Sequence, residues 1–192
     1  LASYRDLPSR EEACAQLGIP NDRPVIGSVG RLSNEKAFDV LIRAVDQLIE
    51  SGSDATLIIA GDGPERPRLE SLIEETGKAD RFRLLGHVPD PGTVFAALNI
   101  FAISSRSEGL PNVLLESLAC RVPVVATAVG GIPRVVSDEH DALLVAPNDA
   151  DGLTLAFTRI LNNDALAEQL STIGLSTVES RYSFETRMRK MV

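Results

Sequence analysis

Residues 100–127 read IFAISSRSEGLPNVLLESLACRVPVVAT. An apolar run, IFAIS at 100–104, leads into a polar turn, and a helical segment follows. Pro111 suits the first turn of that helix, where its missing N–H is no loss, and the helix is expected to run from there through Ala119. A second β-branched run, VPVVAT at 122–127, comes next. Two apolar strands joined by one helix call for a parallel pair, because antiparallel neighbours would need only a tight turn.

The same alternation extends in both directions. VIGSVG at 25–30, ATLIIAG at 55–61, FRLLG at 82–86 and ALLVAP at 142–147 are further strand-length runs without in/out polarity alternation. Between them Phe38, Leu41, Ile42, Val45, Leu48 and Ile49 keep helical spacing, as do Leu153, Ala156, Phe157, Ile160 and Leu161. Strands that are apolar throughout are what a sheet covered on both faces requires. The pattern therefore predicts an α/β fold, a doubly wound Rossmann-like parallel sheet of about six strands with helices on both faces. Ligands should sit at the strands' C-terminal ends. Residues 1–24, with a short helical stretch ending at Gly18 and breakers at Pro20 and Pro24, read as a linker. Residues 25–180 form the domain, and 181–192 read as a C-terminal helix after a break near Tyr182.

Composition narrows the partners. The chain of 192 residues carries a net charge of -8, which argues against a general affinity for nucleic acid. Cys14 and Cys120 are far apart and only two histidines are present, so neither a disulfide framework nor a metal-ligand set is expected. A reducing, cytoplasmic setting fits. No run has the length of a signal or of a bilayer-spanning helix.

Chemistry-bearing residues collect where strands end. Gly30-Arg31-Leu32-Ser33-Asn34-Glu35-Lys36 puts two cations beside an expected helix start, Lys36 in its first turn, where the macrodipole disfavours them unless an anion binds. The plainer alternative pairs Lys36 with Glu35 or Asp39 in solvent. Gly61-Asp62-Gly63-Pro64 lacks the third glycine of a dinucleotide fingerprint and reads as a helix-starting turn. Glu108 and Glu116 flank the Pro111 helix start, and the amides of Asn112 and Val113 point outward between them. Two carboxylates on either side of an amide cluster suit an elongated ligand: hydroxyls at both ends and a diphosphate between, as in a nucleoside diphosphate sugar. Spacing equally allows Glu108 as a helix cap and Glu116 as a solvated side chain.

Gly30-Arg31-Leu32, Glu35-Lys36, Gly61-Asp62-Gly63-Pro64, Gly86, Ser105-Arg106-Ser107-Glu108-Gly109-Leu110-Pro111, Glu116, Pro123 to Thr127 and Val129-Gly130-Gly131 resemble the C-terminal, donor-binding half of a GT-B glycosyltransferase of family 4, the group 1 retaining enzymes. The resemblance implies a hexosyltransferase whose donor is a nucleoside diphosphate sugar, with no cofactor and no metal. It implies that Arg31 and Lys36 bind the diphosphate, that Glu116 holds the ribose, and that Glu108 is the catalytic residue beside the donor sugar. Val88, in the His87-Val88-Pro89 turn, would border the nucleobase. Amides of Gly109, Leu110, Asn112 and Val113 would serve sugar and phosphate. The partner it implies is an N-terminal acceptor-binding domain of the same enzyme, with 1–24 as the interdomain linker and 181–192 able to pack across to that domain. The chain alone is then a fragment expected to be inactive in transfer, and any peripheral membrane contact would come only through the other half. Ala37 and Arg121 stand where the family usually has glycine, and Arg134 where a glutamate is common. A nucleotide-sugar epimerase, or a non-transferring nucleotide-sugar-binding module, is the alternative on the same scaffold. A receiver-type regulatory domain is disfavoured, because Gly30-Arg31 occupies the place of its acids.

Overall fold

The computed structural model describes residues 7–182. Its strands are β1 (Val25–Val29), β2 (Thr56–Ala60), β3 (Phe82–Gly86), β4 (Ile100–Ile103), β5 (Val124–Thr127) and β6 (Leu143–Val145). They form one sheet in the order β3-β2-β1-β4-β5-β6, with every neighbouring pair parallel. The helices are α1 (Arg10–Leu17), α2 (Phe38–Glu50), α3 (Arg66–Glu75), α4 (Pro91–Ala97), α5 (Asn112–Ala119), α6 (Ile132–Val135), α7 (Ala150–Leu161) and α8 (Asp164–Tyr182). This is the expected six-stranded Rossmann-like sheet covered on both faces.

Strand residues divide by parity between two cores, because successive side chains point to opposite faces. Ile26, Leu57 and Ile59 pack under α2, α3 and α7, while Val25, Ile58 and Ala60 pack with residues of α1, α4 and α5. The predicted stripes Phe38, Leu41, Ile42, Val45 and Leu48 on α2, and Leu153, Ala156, Phe157 and Ile160 on α7, are buried in the first core. Burying a Leu, Ile or Phe is worth about 1.5–3 kcal/mol each, so these stripes hold the helices onto the sheet.

The segment before Val25 contains α1, which packs onto the sheet domain. α1 begins with a capping box, in which Ser9 and Glu12 bond reciprocally, and it packs against α4 with Ala13 and Cys14 buried. The guanidinium of Arg10 donates to the carbonyls of Asn21 and Arg23, each at 2.7 Å, and to Asn99 Oδ1 at 3.2 Å. A stripe of two small residues is too weak a periodic signal to reveal this packing. At the other end α8 runs unbroken to Tyr182, past the expected boundary at 180, and the rest of the expected 181–192 helix lies outside the described residues. Among the described residues no helix is long and apolar enough to cross a membrane.

α5 closes in a Schellman arrangement, with Val122 N–H bonded to Ser117 O and Arg121 N–H to Leu118 O. Arg121 sits at its left-handed position, φ 57°, and is exposed. Arg121→Gly should therefore raise stability by about 0.5–1 kcal/mol, the relief of the left-handed strain exceeding the added unfolded-state entropy. Urea unfolding midpoints of the two proteins check this.

Candidate active site

β1 and β4 are neighbours in the sheet, but the chain leaves β1 toward β2 on one side and β4 toward β5 on the other. Loops 30–37 and 104–111 therefore meet at this reversal point, above the C-terminal ends of the strands, where open parallel sheets place ligands. Backbone bonds join the two loops. Ser104 Oγ donates to Lys36 O at 2.8 Å, and Arg106 N–H donates to Glu35 O at 2.7 Å. Thr127 Oγ1, from the end of β5, donates to Ser105 O at 2.7 Å.

Lys36 is not in the first turn of α2. It ends a 3₁₀ turn, Asn34–Lys36, and Ala37 follows as the cap of α2 in the left-handed conformation, φ 50°. That conformation is why glycine suits position 37. The turn throws the Lys36 side chain across the loop junction, where its ammonium pairs with the Glu108 carboxylate rather than with Glu35 or Asp39. Ser105 Oγ donates to the same Glu108 oxygen at 2.7 Å. The Glu108 side chain is only 9% exposed, so its charge is held by these two groups rather than by water. α5 carries no side-chain cap, which removes the reading of Glu108 as a helix cap.

Glu116 projects from α5 on a different side. It is half-buried and lies near Cys120 at the end of α5. Burial, helped by the Glu116 and Asp90 carboxylates, pushes the Cys120 thiol up to about 12. Glu116 and Asp90, the latter in the turn from β3 to α4, thus both lie near Cys120, whereas Glu108 is held to the loop after β1 through Lys36. The two acids have different surroundings: Glu108 is held by Lys36 and Ser105, and Glu116 lies near Cys120. Between them the N–H groups of Gly109, Leu110, Asn112 and Val113 have no protein acceptor among the described residues. Some of these are the free donors of any helix start, and they favour an anion.

A cleft of about 340 Å³ opens beside this junction, walled by Val29, Arg31, Ala60, His87, Val88 and Pro91. Arg31 is exposed on its rim with no ion pair among the described residues. His87 and Val88 line the cleft as expected of that turn, with Pro91 in place of Pro89. Asp62 accepts from Gly63 N–H at 2.8 Å and from Arg66 at 3.0 Å, so its side chain organises the turn into α3. Gly61, at φ 137°, lies so close to the Gly30 carbonyl that a methyl group would overlap it. Gly130, at φ 55°, approaches the Glu108 carbonyl in the same way, while Gly131 N–H donates to Gly109 O at 2.9 Å. Sequence reading quoted these glycines without seeing that they hold the site loops by direct backbone contact. Nothing local announces such a contact, because its other half lies in a distant loop.

The chain is 36% identical over 179 residues to the lipopolysaccharide core biosynthesis glycosyltransferase LpsD of Rhizobium meliloti (strain 1021), covering 93% of this chain and 51% of that protein. It therefore spans about half the length of the curated relatives it matches. Among solved structures, Anabaena HepE in complex with UDP superposes with a TM-score of 0.90 at 25% identity, covering 98% of this chain and 52% of that one. The C-terminal domain of the group 1 glycosyl transferase LpcC from Francisella tularensis superposes with a TM-score of 0.84 at 22% identity, covering 94% and 96%, a likeness of fold. The sequence model of the family described as glycosyl transferases group 1 matches residues 9–176, and with these relatives it shows that the chain belongs to that family.

Proposed function

We propose that this chain is the donor-binding part of a retaining hexosyltransferase, and that it takes a nucleoside diphosphate sugar. The observation that carries the reading is the junction of loops 30–37 and 104–111. These loops and the helix start that follows them carry an exposed cation, Arg31, a second cation, Lys36, paired with Glu108, and the acceptor-free amides of 109, 110, 112 and 113. The nucleobase enters the cleft against Val29, Val88 and Pro91. Glu116 receives the ribose hydroxyls, Arg31 and Lys36 take the diphosphate, and Glu108 faces the sugar. The complex of HepE with UDP supports a nucleoside diphosphate as the class of ligand.

In the proposed transfer the bond from the anomeric carbon to the diphosphate oxygen breaks, and the acceptor oxygen bonds to the same face. The acceptor proton passes to the departing phosphate oxygen. Charge grows on the leaving group as it departs, and Arg31, Lys36 and the α5 amides are preorganised donors for it. The acceptor binds to a domain outside this chain, so the 192-residue protein should bind donor without transferring its sugar.

Arg31→Ala and Lys36→Ala should each weaken UDP binding by about 1.5–3 kcal/mol, with exposed Arg31 at the lower end, while uridine affinity changes little. Calorimetric titration of the chain with UDP and with uridine tests the reading. Equal affinity of both variants and wild type for UDP would remove the diphosphate from this junction.

A further inference from the structure

Arg106 lies two residues before Glu108, yet its side chain turns away from both cavities and into the gap between three loops. Its Nη2 donates to both carboxylate oxygens of Asp39 at 3.1 Å, and its Nη1 to Asn34 O at 2.6 Å and Asn34 Oδ1 at 3.3 Å. Its Nε donates to Asn148 Oδ1 at 2.7 Å, in the loop between β6 and α7. All three guanidinium nitrogens are therefore in use, and none faces the cleft or the small cavity beside Glu108.

Asp39 is the other half of the arrangement. It sits in the first turn of α2 and is 6% exposed. Burial pushes its carboxyl up, but the Arg106 fork and the charges of Arg106 and Arg68 outweigh burial and hold it below the usual carboxylate range. Arg68 contributes one longer contact, 3.4 Å, from a side chain that is 56% exposed. Arg106, whose side chain is 28% exposed, is thus the main group keeping the buried Asp39 charge satisfied, and its planar guanidinium holds its three partners in a fixed arrangement.

We propose that Arg106 is a positioning residue for the transfer site: it locks loop 30–37, which carries Lys36, to loop 104–111, which carries Glu108. The lock rests on the donor-binding reading for its purpose, but not for its existence. Asn34 and Asp39 flank Lys36 in the chain, and Arg106 and Glu108 are separated by one residue, so a shift in the fork moves the cation and the acid against each other. A lysine at position 106 keeps the charge as a single point. It cannot fork Asp39 while also reaching Asn34 and Asn148.

The test uses Arg106→Lys and Asp39→Asn in the 192-residue chain. Hydrogen exchange of the ligand-free proteins reads the lock itself, and amides in 34–37 and 105–109 should exchange faster together in both variants. Calorimetry with UDP, GDP and ADP, each beside its own nucleoside, reads the consequence. The diphosphate that wild type binds should be held about tenfold more weakly by Arg106→Lys, and its nucleoside within about twofold of wild type, because the base cleft touches none of the fork's partners. Wild-type exchange in either loop, wild-type diphosphate affinity, or a parallel loss of diphosphate and nucleoside would overturn the proposal. Should the wild-type chain bind no nucleotide, the donor-binding reading fails, and the exchange of the two loops still decides the lock.

Discussion

Gly130→Ala should lower folding stability by about 3 kcal/mol or more. Two costs coincide there. The residue has φ 55°, a left-handed conformation that costs a side chain roughly 1–2 kcal/mol. The added methyl would also overlap the Glu108 carbonyl oxygen, a backbone atom that cannot rotate away, and such overpacking costs about 1–3 kcal/mol. Relief requires the loop after β5, or loop 104–111 with Glu108 in it, to move. Gly109→Ala is the control, because a methyl there meets nothing within 4 Å and φ is not positive. Urea unfolding of the two variants should show a large drop for Gly130→Ala and a change within about 0.5 kcal/mol for Gly109→Ala. Equal, small losses for both would mean that loop 104–111 is not pinned by the turn after β5.

Glu108→Gln and Glu116→Gln should fail in different ways in the two-domain enzyme. Under the proposed function Glu108 lies where positive charge develops on the sugar, so its neutralisation should lower kcat by about a hundredfold. The structure adds a second expectation for the same variant. Lys36 pairs with Glu108 in the ligand-free chain, and a glutamine at 108 no longer competes with the diphosphate for that ammonium. UDP affinity should then stay level or rise, by up to about 1 kcal/mol, while transfer falls. Glu116→Gln removes a contact made equally in ground and transition states, so it should raise the donor KM and leave kcat nearly unchanged. Steady-state kinetics with calorimetry on the intact enzyme separate the cases. Two variants that both raise only KM, or a Glu108→Gln protein that binds UDP more weakly, would refute the assigned roles.

Most of the fold was legible in the chain. Six apolar β-branched runs separated by helical stripes were enough to predict a doubly wound sheet, because the burial of both faces is written into each strand and the period of each helix into its own residues. Helix α1 was read as a helical stretch ending at Gly18, but its packing on α4 was not, since its buried face is only Ala13 and Cys14. At the junction of loops 30–37 and 104–111, Glu108, Lys36 and Arg31 could be named from motif and spacing.

Their pairing could not. Lys36 was expected to bind an anion or to neighbour Glu35 or Asp39, and a 3₁₀ turn with a left-handed Ala37 sends it to a carboxylate 72 positions away. Arg106 reaches Asp39 across 67 positions and Asn148 across 42, and Gly130 meets a carbonyl in a loop before the preceding helix. The sequence by itself determined the elements and the edge of the sheet where chemistry gathers, because those follow from local periodicity and strand order. Only the tertiary structure decided which cation meets which acid and which glycine bears on which carbonyl. Such contacts depend on ångström distances between loops that the sheet brings together, and no local pattern encodes them.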